Sequence, residues 1–210
     1  MSSGSIEKAI LLCDAPAETL ASIVASLPLP RRAISLPVEP DSQASPPDFS
    51  SFIEIWGDID ALKETVSTWP YAVNAWRVRQ FVPLAYEQTW PSGEQSPGVR
   101  MVSSIQRRPG MSLSEFEAHW RGPHTEVAKS YTVPVWHYNQ NVVLEKLRGE
   151  ISVDGFVGMH FRTAEEMAAR WRDYPAEAAR GAEDAAKFMA TEETQSITAL
   201  ETVWDTRVDR

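Results

Sequence analysis

All four histidines of the chain, His119, His124, His137 and His160, fall in its second half. A neutral imidazole can take a proton near pH 7, so these residues are weighed first for acid/base chemistry. His124 follows Gly122-Pro123 inside a helical pattern that begins at Ser112. Proline lacks an amide hydrogen and its ring crowds the preceding turn, so the helix is expected to break there and restart. His124 would then stand at a helix N-terminus, where the positive dipole end keeps the ring neutral and fit to act as a general base. The plainer alternative is a histidine that only braces the kink. His119 and Arg121 flank Trp120; His119 reads as solvated, and Arg121 as either a carboxylate or phenolate ligand or an exposed helix arginine.

Five hydrogen-bonding side chains stand in a row at His137-Tyr138-Asn139-Gln140-Asn141, on a strand with apolar ends. Alternation sends His137, Asn139 and Asn141 to one face and Trp136, Tyr138 and Gln140 to the other. One set lines a pocket, unless the strand is a solvated edge. His160 alternates with Phe156 and Gly158, opposite Val157, Met159 and Phe161. If the apolar set packs on helices, His160 faces the space enclosed by the sheet; a satisfied structural histidine is the alternative. A metal at these histidines would call for an i,i+4 pair or a nearby carboxylate, and no metal is expected. The chain lacks a Walker pattern and a Gly-x-Gly-x-x-Gly, so no nucleotide cofactor is expected either.

The elements that must hold these residues come in two similar sets. Each half offers strand, helix, strand, strand, helix, strand, and Pro91 to Gly98 joins the two copies. In the first, Ile6–Cys13, Arg32–Val38, Phe49–Trp56 and Val73–Tyr86 read as strands, and Glu39–Asp48 as a mobile loop. Asp14 and Asp58 are expected to cap the two helices, the first placing Leu20, Ile23 and Leu27 on one side. In the second, Val99–Gln106, Val133–Val143, Phe156–Phe161 and Thr194–Trp204 are the strands. Ser112 with Glu115, and Thr163 with Glu166, form capping boxes. The Ala-rich helix Pro175–Ala190 has no counterpart in the first copy. A βαββαβ unit packs two helices on one face of a four-stranded antiparallel sheet, and two such sheets face to face enclose a barrel-like space. The fold class is therefore α+β: tandem ferredoxin-like βαββαβ units, 1–90 and 99–210 with a linker at 91–98, whose two sheets form one intramolecular barrel.

At 210 residues, with 43% hydrophobic and 23% charged content, the chain has the make-up of a soluble globular protein. Its net charge of −9 disfavours nucleic acid or an anionic membrane as main partner. The single Cys13 allows no internal disulfide, and no segment resembles a signal peptide or membrane span. A reducing cytoplasm is the simplest home. Most of the eight tryptophans are expected to fill the core, and a few on strands to line a cavity suited to a flat hydrophobic ligand. Edge strands and the Ala-rich segment allow a homodimer without specifying one.

The stretch Arg108-Pro-Gly-Met-Ser-Leu-Ser-Glu-Phe-Glu-Ala-His-Trp-Arg-Gly-Pro-His124, with Tyr138-Asn-Gln-Asn141, Asp154-Gly-Phe156, Asp184 and Phe188, resembles the EthD-domain family of dimeric α+β barrel proteins. The resemblance spans about residues 99–206; residues 1–90 share only the order of elements, as a diverged second copy would. It implies a ferredoxin-like unit, a ligand pocket between sheet and helices, and no obligatory cofactor. Relatives include accessory proteins of pollutant degradation and fungal proteins assigned to dehydration or decarboxylation of aromatic polyketides. Tyr138 occupies the family's tyrosine position, so its face is expected to be lumenal, with its hydroxyl an acid or orienting donor. His124, Tyr138, His160 and His137 are thus the catalytic candidates, and Arg121, Asn141, Trp120 and Phe156 the substrate contacts. The expected activity is cofactor-independent acid/base chemistry, of lyase or isomerase type, on a small aromatic or polyketide-like substrate. A non-catalytic binder of a hydrophobic metabolite and a cofactor-free monooxygenase are the alternatives.

Overall fold

A computed structural model of the chain describes residues 7–38 and 51–206. The expected loop at 39–48 lies outside the described residues, as do Ile6 and Phe49 at the expected strand starts. In the first half, strands β1 (Glu7–Cys13), β2 (Arg31–Pro37), β3 (Ser51–Gly57) and β4 (Ala72–Leu84) alternate with helices α1 (Ala17–Ser26) and α2 (Ile59–Thr68) in the order β1-α1-β2-β3-α2-β4. In the second, β5 (Val99–Ile105), β6 (His137–Arg148), β7 (Gly155–Phe161) and β8 (Gln195–Asp205) carry α3 (Leu113–His119), α4 (Thr125–Lys129), α5 (Ala164–Arg172) and α6 (Pro175–Ala185). All pairings are antiparallel, and the ring runs β1-β3-β2-β8-β5-β7-β6-β4. Each half contributes its own ferredoxin-like order, 4-1-3-2 and 8-5-7-6. The halves are stitched along β2–β8, in register from Arg31↔Asp205 to Pro37↔Ala199, and along β4–β6. The result is one closed eight-stranded barrel of two tandem units, with helices outside it.

Local chemistry fixes the helix starts. Asp58 accepts from the Ala61 amide at 2.9 Å, and Ser112 and Glu115 close a full capping box. Thr163 caps α5, but Glu166 reaches back to the Arg162 amide, so the second expected box is not formed. Asp14 does not cap α1 either: Pro16 holds the cap position, and the Asp14 amide bonds the Tyr71 carbonyl instead. On α1 it is Leu20 and Val24 that are buried. Strand β6 begins four residues later than expected, at His137.

The barrel interior is full. Ile10, Leu12, Phe52, Trp76, Val78, Val102, Phe156 and Ile197 form its apolar plug. Beside the plug sit charges. Lys8 meets Glu54 at 2.5 Å and Asn141 at 2.7 Å, and Arg100 bonds both Glu54 and Glu201. Gly158 makes room for this arginine, since a Cβ there would stand 2.6 Å from its guanidinium. Burial opposes ionisation of Glu54, yet Arg100 and Lys8 win and hold it near 2. The same burial outweighs Glu54 at Lys8 and pulls its amine down to about 8. The joining stretch 91–98 lies over this end of the barrel, with the Ser96 amide on the Glu201 carbonyl at 2.7 Å and the Gly93 amide on Val203 at 2.9 Å.

Candidate active site

The helix that starts at Ser112 does not break at Gly122-Pro123. Residues 113–129 run on as one helical rod whose middle turn, Trp120–His124, is π-helical. Widening the turn relieves the crowding of the Pro123 ring and tolerates its missing amide. Side chains then satisfy what the backbone leaves free: Thr125 Oγ1 and Gln140 Nε2 each donate to the Trp120 carbonyl at 3.0 Å. No exposed helix start faces His124, so the expected dipole effect on its ring is absent.

What the π turn does is align residues five apart. His124 Nδ1 lies 2.9 Å from Asp184 Oδ2, and His119 Nε2 lies 3.2 Å from Asp184 Oδ1. His119, expected to be solvated, is therefore held on a carboxylate and stacks on Phe188 at 5.1 Å; the His124 ring sits 4.9 Å from the same phenyl. Desolvation lowers the His124 pKa, with Asp184 opposing it, so the neutral ring wins for a different reason than the dipole. A neutral ring facing Asp184 through Nδ1 carries its hydrogen there and leaves Nε2 with a free lone pair. Burial raises the Asp184 carboxyl, but the hydrogen bonds from His124 and His119 outweigh it and keep it ionised.

His124 borders a cavity of about 530 Å³ between the outer face of β5–β8 and helices α3–α6. Trp120, Met101, Met159, Tyr138 and Arg170 are among its other walls. Tyr138 is buried, and its hydroxyl accepts from Gln140 Nε2 at 2.8 Å. Burial pushes this phenol up to about 12, so it stays a protonated donor at neutral pH. Ser103 and Ser196 pair their hydroxyls at 2.7 Å on the cavity floor. Gly155 is what lets Trp120 lie against the sheet, because a Cβ there would meet its ring at 2.5 Å.

The expectation that Tyr138 faces the lumen is overturned. Tyr138 and Gln140 point outward to the helices, while Asn139 and Asn141 point inward, where Asn141 receives the Lys8 ammonium. Of the sequence candidates, His124, Tyr138 and Trp120 share the cavity. His137, His160, Asn141 and Phe156 lie on the other side of the sheet. There His160 Nε2 bonds the Pro97 carbonyl at 2.8 Å, the His137 ring packs 4.6 Å from Tyr86, and Phe156 packs on Trp76 at 5.0 Å. Arg121 is at neither place: it pairs with Glu117 at 2.8 Å on the surface and covers Phe81. Asp184 and His119 are the residues that spacing alone did not single out as a pair. Among the described residues no cluster of three or more His, Cys, Asp or Glu is arranged to hold a metal ion.

Residues 108–192, which carry His119, His124, Tyr138, Asp184 and the cavity walls on α5 and α6, match the family model of the EthD domain. Over this stretch the chain is similar to the EthD-domain family. The crystal structure of an anthrone oxidase-like protein matches with a TM-score of 0.64 and 12% identity, over 94% of this chain and 91% of its own. At that identity the likeness shows the shared dimeric α+β barrel fold. A structure described as a candidate monooxygenase from Fusobacterium nucleatum matches with a TM-score of 0.47 and 10% identity, over 95% and 92% of the two chains. The search of curated proteins gives no match. No helix among the described residues is long and apolar enough to cross a membrane.

Proposed function

We propose that the EthD-domain half is a cofactor-independent acid/base enzyme, of lyase or isomerase type, for a small aromatic or polyketide-like molecule. One observation carries the reading: His124, paired with Asp184, borders an apolar cavity that Tyr138 also lines. His124 Nε2 removes a proton from a carbon next to a carbonyl, and the C–H electron pair becomes the enolate double bond. Tyr138 donates its hydrogen to the oxygen that gathers the charge, while Asp184 stabilises the imidazolium. In dehydration the enolate pair breaks the C–O bond of a β-hydroxyl, which takes the proton from the His124 imidazolium and leaves as water; in isomerisation that proton returns to another carbon. A positioned base contributes about 10²–10⁴-fold, with orientation in the apolar cavity supplying more.

The test is a screen of aromatic and polyketide acids with the purified chain, followed by His124→Ala on any substrate found. Loss of turnover with an unchanged fold supports His124 as the base, and retained turnover refutes it. The pH profile supplies a second check. Activity should fall on the acid side below the ordinary histidine range, because the His124 pKa is lowered. The same deprotonation would also prepare a phenolic substrate for reaction with oxygen. Oxygen uptake that matches product formation would move the assignment from lyase or isomerase to cofactor-free oxygenation.

A further inference from the structure

Among the described residues two arginines are almost fully buried, Arg100 in the barrel lumen and Arg170 in the cavity wall. Arg100 lies between two glutamates, which outweigh its burial and raise its pKa. Arg170, on α5, has no such company. It donates to the Val133 carbonyl and, at 2.9 Å, to the Ala128 carbonyl, and its Nε has no partner. Among the described residues no carboxylate lies within ion-pairing distance of it. Its neighbour Arg172 is fully supplied, with Glu165 at 2.8 Å and Asp173 at 2.6 Å, on the outside of the same helix. Glu177 is turned to the surface, where it binds Thr132, and Asp184 is occupied by His119, His124 and Lys187.

From this imbalance we infer that the cavity binds an aromatic anion, a ring bearing an ionised carboxylate or phenolate, with Arg170 as the group that recognises the charge. The inference deepens the proposed chemistry by naming its substrate class, and it rests on that reading only in sharing the cavity. Two backbone carbonyls meet the hydrogens of the guanidinium, while Glu177 acts on it only from beyond ion-pairing distance and burial outweighs that help, so much of the charge stays uncompensated, which is costly. Burial accordingly draws the Arg170 pKa down to about 10, the reverse of Arg100. An anionic ligand would supply the missing counter-charge in a site where water screens it little. The surroundings specify the rest of the ligand. The guanidinium lies 3.7 Å from the Tyr131 ring centroid and 5.1 Å from that of Trp171, and both rings are cavity walls. Tyr131 itself fits because Gly181 has no side chain: a Cβ there would stand 1.9 Å from its hydroxyl. Rings on two sides and methionines on the sheet side suit a flat apolar body whose one charged end reaches α5.

The experiment compares 2-naphthoate with its neutral isostere 2-naphthamide, by quenching of tryptophan fluorescence in the full chain at pH 7. Trp120 and Trp171 both border the cavity and report occupancy. The naphthoate should bind about tenfold or more tightly. Arg170→Gln keeps amide donors for the carbonyls but no charge, and should bring the ratio near one while leaving the amide's affinity as it was. Arg170→Lys should retain part of the preference. If Arg170→Gln fails to fold, the wild-type ratio at low and high salt decides, because a buried pair should keep its preference where a surface one loses it. Equal affinity for the two probes, a preference that survives in Arg170→Gln, a wild-type preference erased by salt, or no binding of either at about 10 mM would overturn the inference. Turnover plays no part in this measurement, so an inactive or fully active His124→Ala bears on the acid/base reading and leaves the anion site to be judged separately.

Discussion

The two halves build the same sheet and treat its outer face in opposite ways. In the first half, Ala9, Leu11, Ile34, Ile53 and Ile55 project from the strands and meet Leu20, Val24, Leu62, Val66 and Trp69 from the helices and the residues that follow them. These apolar side chains pack into one continuous buried cluster. In the second half the equivalent surface carries Met101, Ser103, Tyr138, Gln140, Met159 and Ser196, and α6 turns Ala178, Gly181, Ala182 and Ala185 toward it. Small side chains on the helix and hydroxyls on the strands cannot fill the gap, and a cavity results. The difference is one of side-chain volume on a common backbone plan. It separates a half that closes the ring from a half that can hold a ligand.

The comparison is broken most forcefully at Asp184, which has no partner role of this kind in the closed half. Asp184→Asn should cut turnover by about 10²–10⁴-fold by letting the His124 ring take the wrong tautomer, with the melting temperature little changed. A rate within about threefold of wild type would show that the dyad is a packing detail. Heteronuclear NMR of the imidazoles gives a check without substrate: Nδ1 of His124 should carry the hydrogen in the wild type and not in the variant.

Matched truncations test the packing difference itself. Leu62→Ala, in the closed half, should cost about 2–5 kcal/mol in urea unfolding, since it removes contacts and leaves a void. Met101→Ala, at a wall that already borders empty space, should cost only about 1 kcal/mol. Similar losses at both positions would mean that the second half is as tightly filled as the first.

Much of this division could be read along the chain, and the unread parts have physical causes. Strand and helix order, the capping of α2 and α3 and the extra Ala-rich helix follow from periodicity and cap residues, and two βαββαβ units imply the barrel. Period-two alternation sorts the residues of β6 into two faces but does not say which is inside. Both faces of this strand are buried, so polarity gave no guide: Asn139 and Asn141 serve the lumenal charges while Tyr138 and Gln140 serve the cavity. His119 and His124 are five apart, a spacing that belongs to opposite sides of an ordinary α turn. Only the π turn at Gly122-Pro123 brings them together. The signal was present as a proline inside an otherwise continuous helical pattern, with Asp184 and Phe188 already standing out in the family resemblance. Arg121 and Arg170 are both helix arginines in sequence, and nothing in their neighbours tells which one turns inward.

A further expected effect concerns the lumen, where His137 sits beside the ion network instead of a cavity. Desolvation, helped by Arg100 and opposed by Glu201 and Glu54, lowers its pKa to about 4. Below the ordinary histidine value near 6.5 the unfolded chain takes up a proton that the folded chain refuses, so stability must fall as pH drops from about 6.5 to about 4. Glu54 has the opposite arrangement: its folded pKa near 2 gives stability that is present above about 4.5 and lost only as pH falls toward 2. Acid unfolding should therefore show two successive declines. His137→Gln should lessen the first by about 1–2 kcal/mol and leave the second in place. The lowered pKa of His124 also feeds the first decline, so it should shrink but not vanish. Unfolding midpoints in urea at pH 7, 4.5 and 3 separate the two stages. A variant whose midpoint falls as steeply between pH 7 and 4.5 as that of the wild type would show that the half-buried His137 ring titrates as it does in the unfolded chain, and would weaken the contrast between a filled barrel and an open helical face.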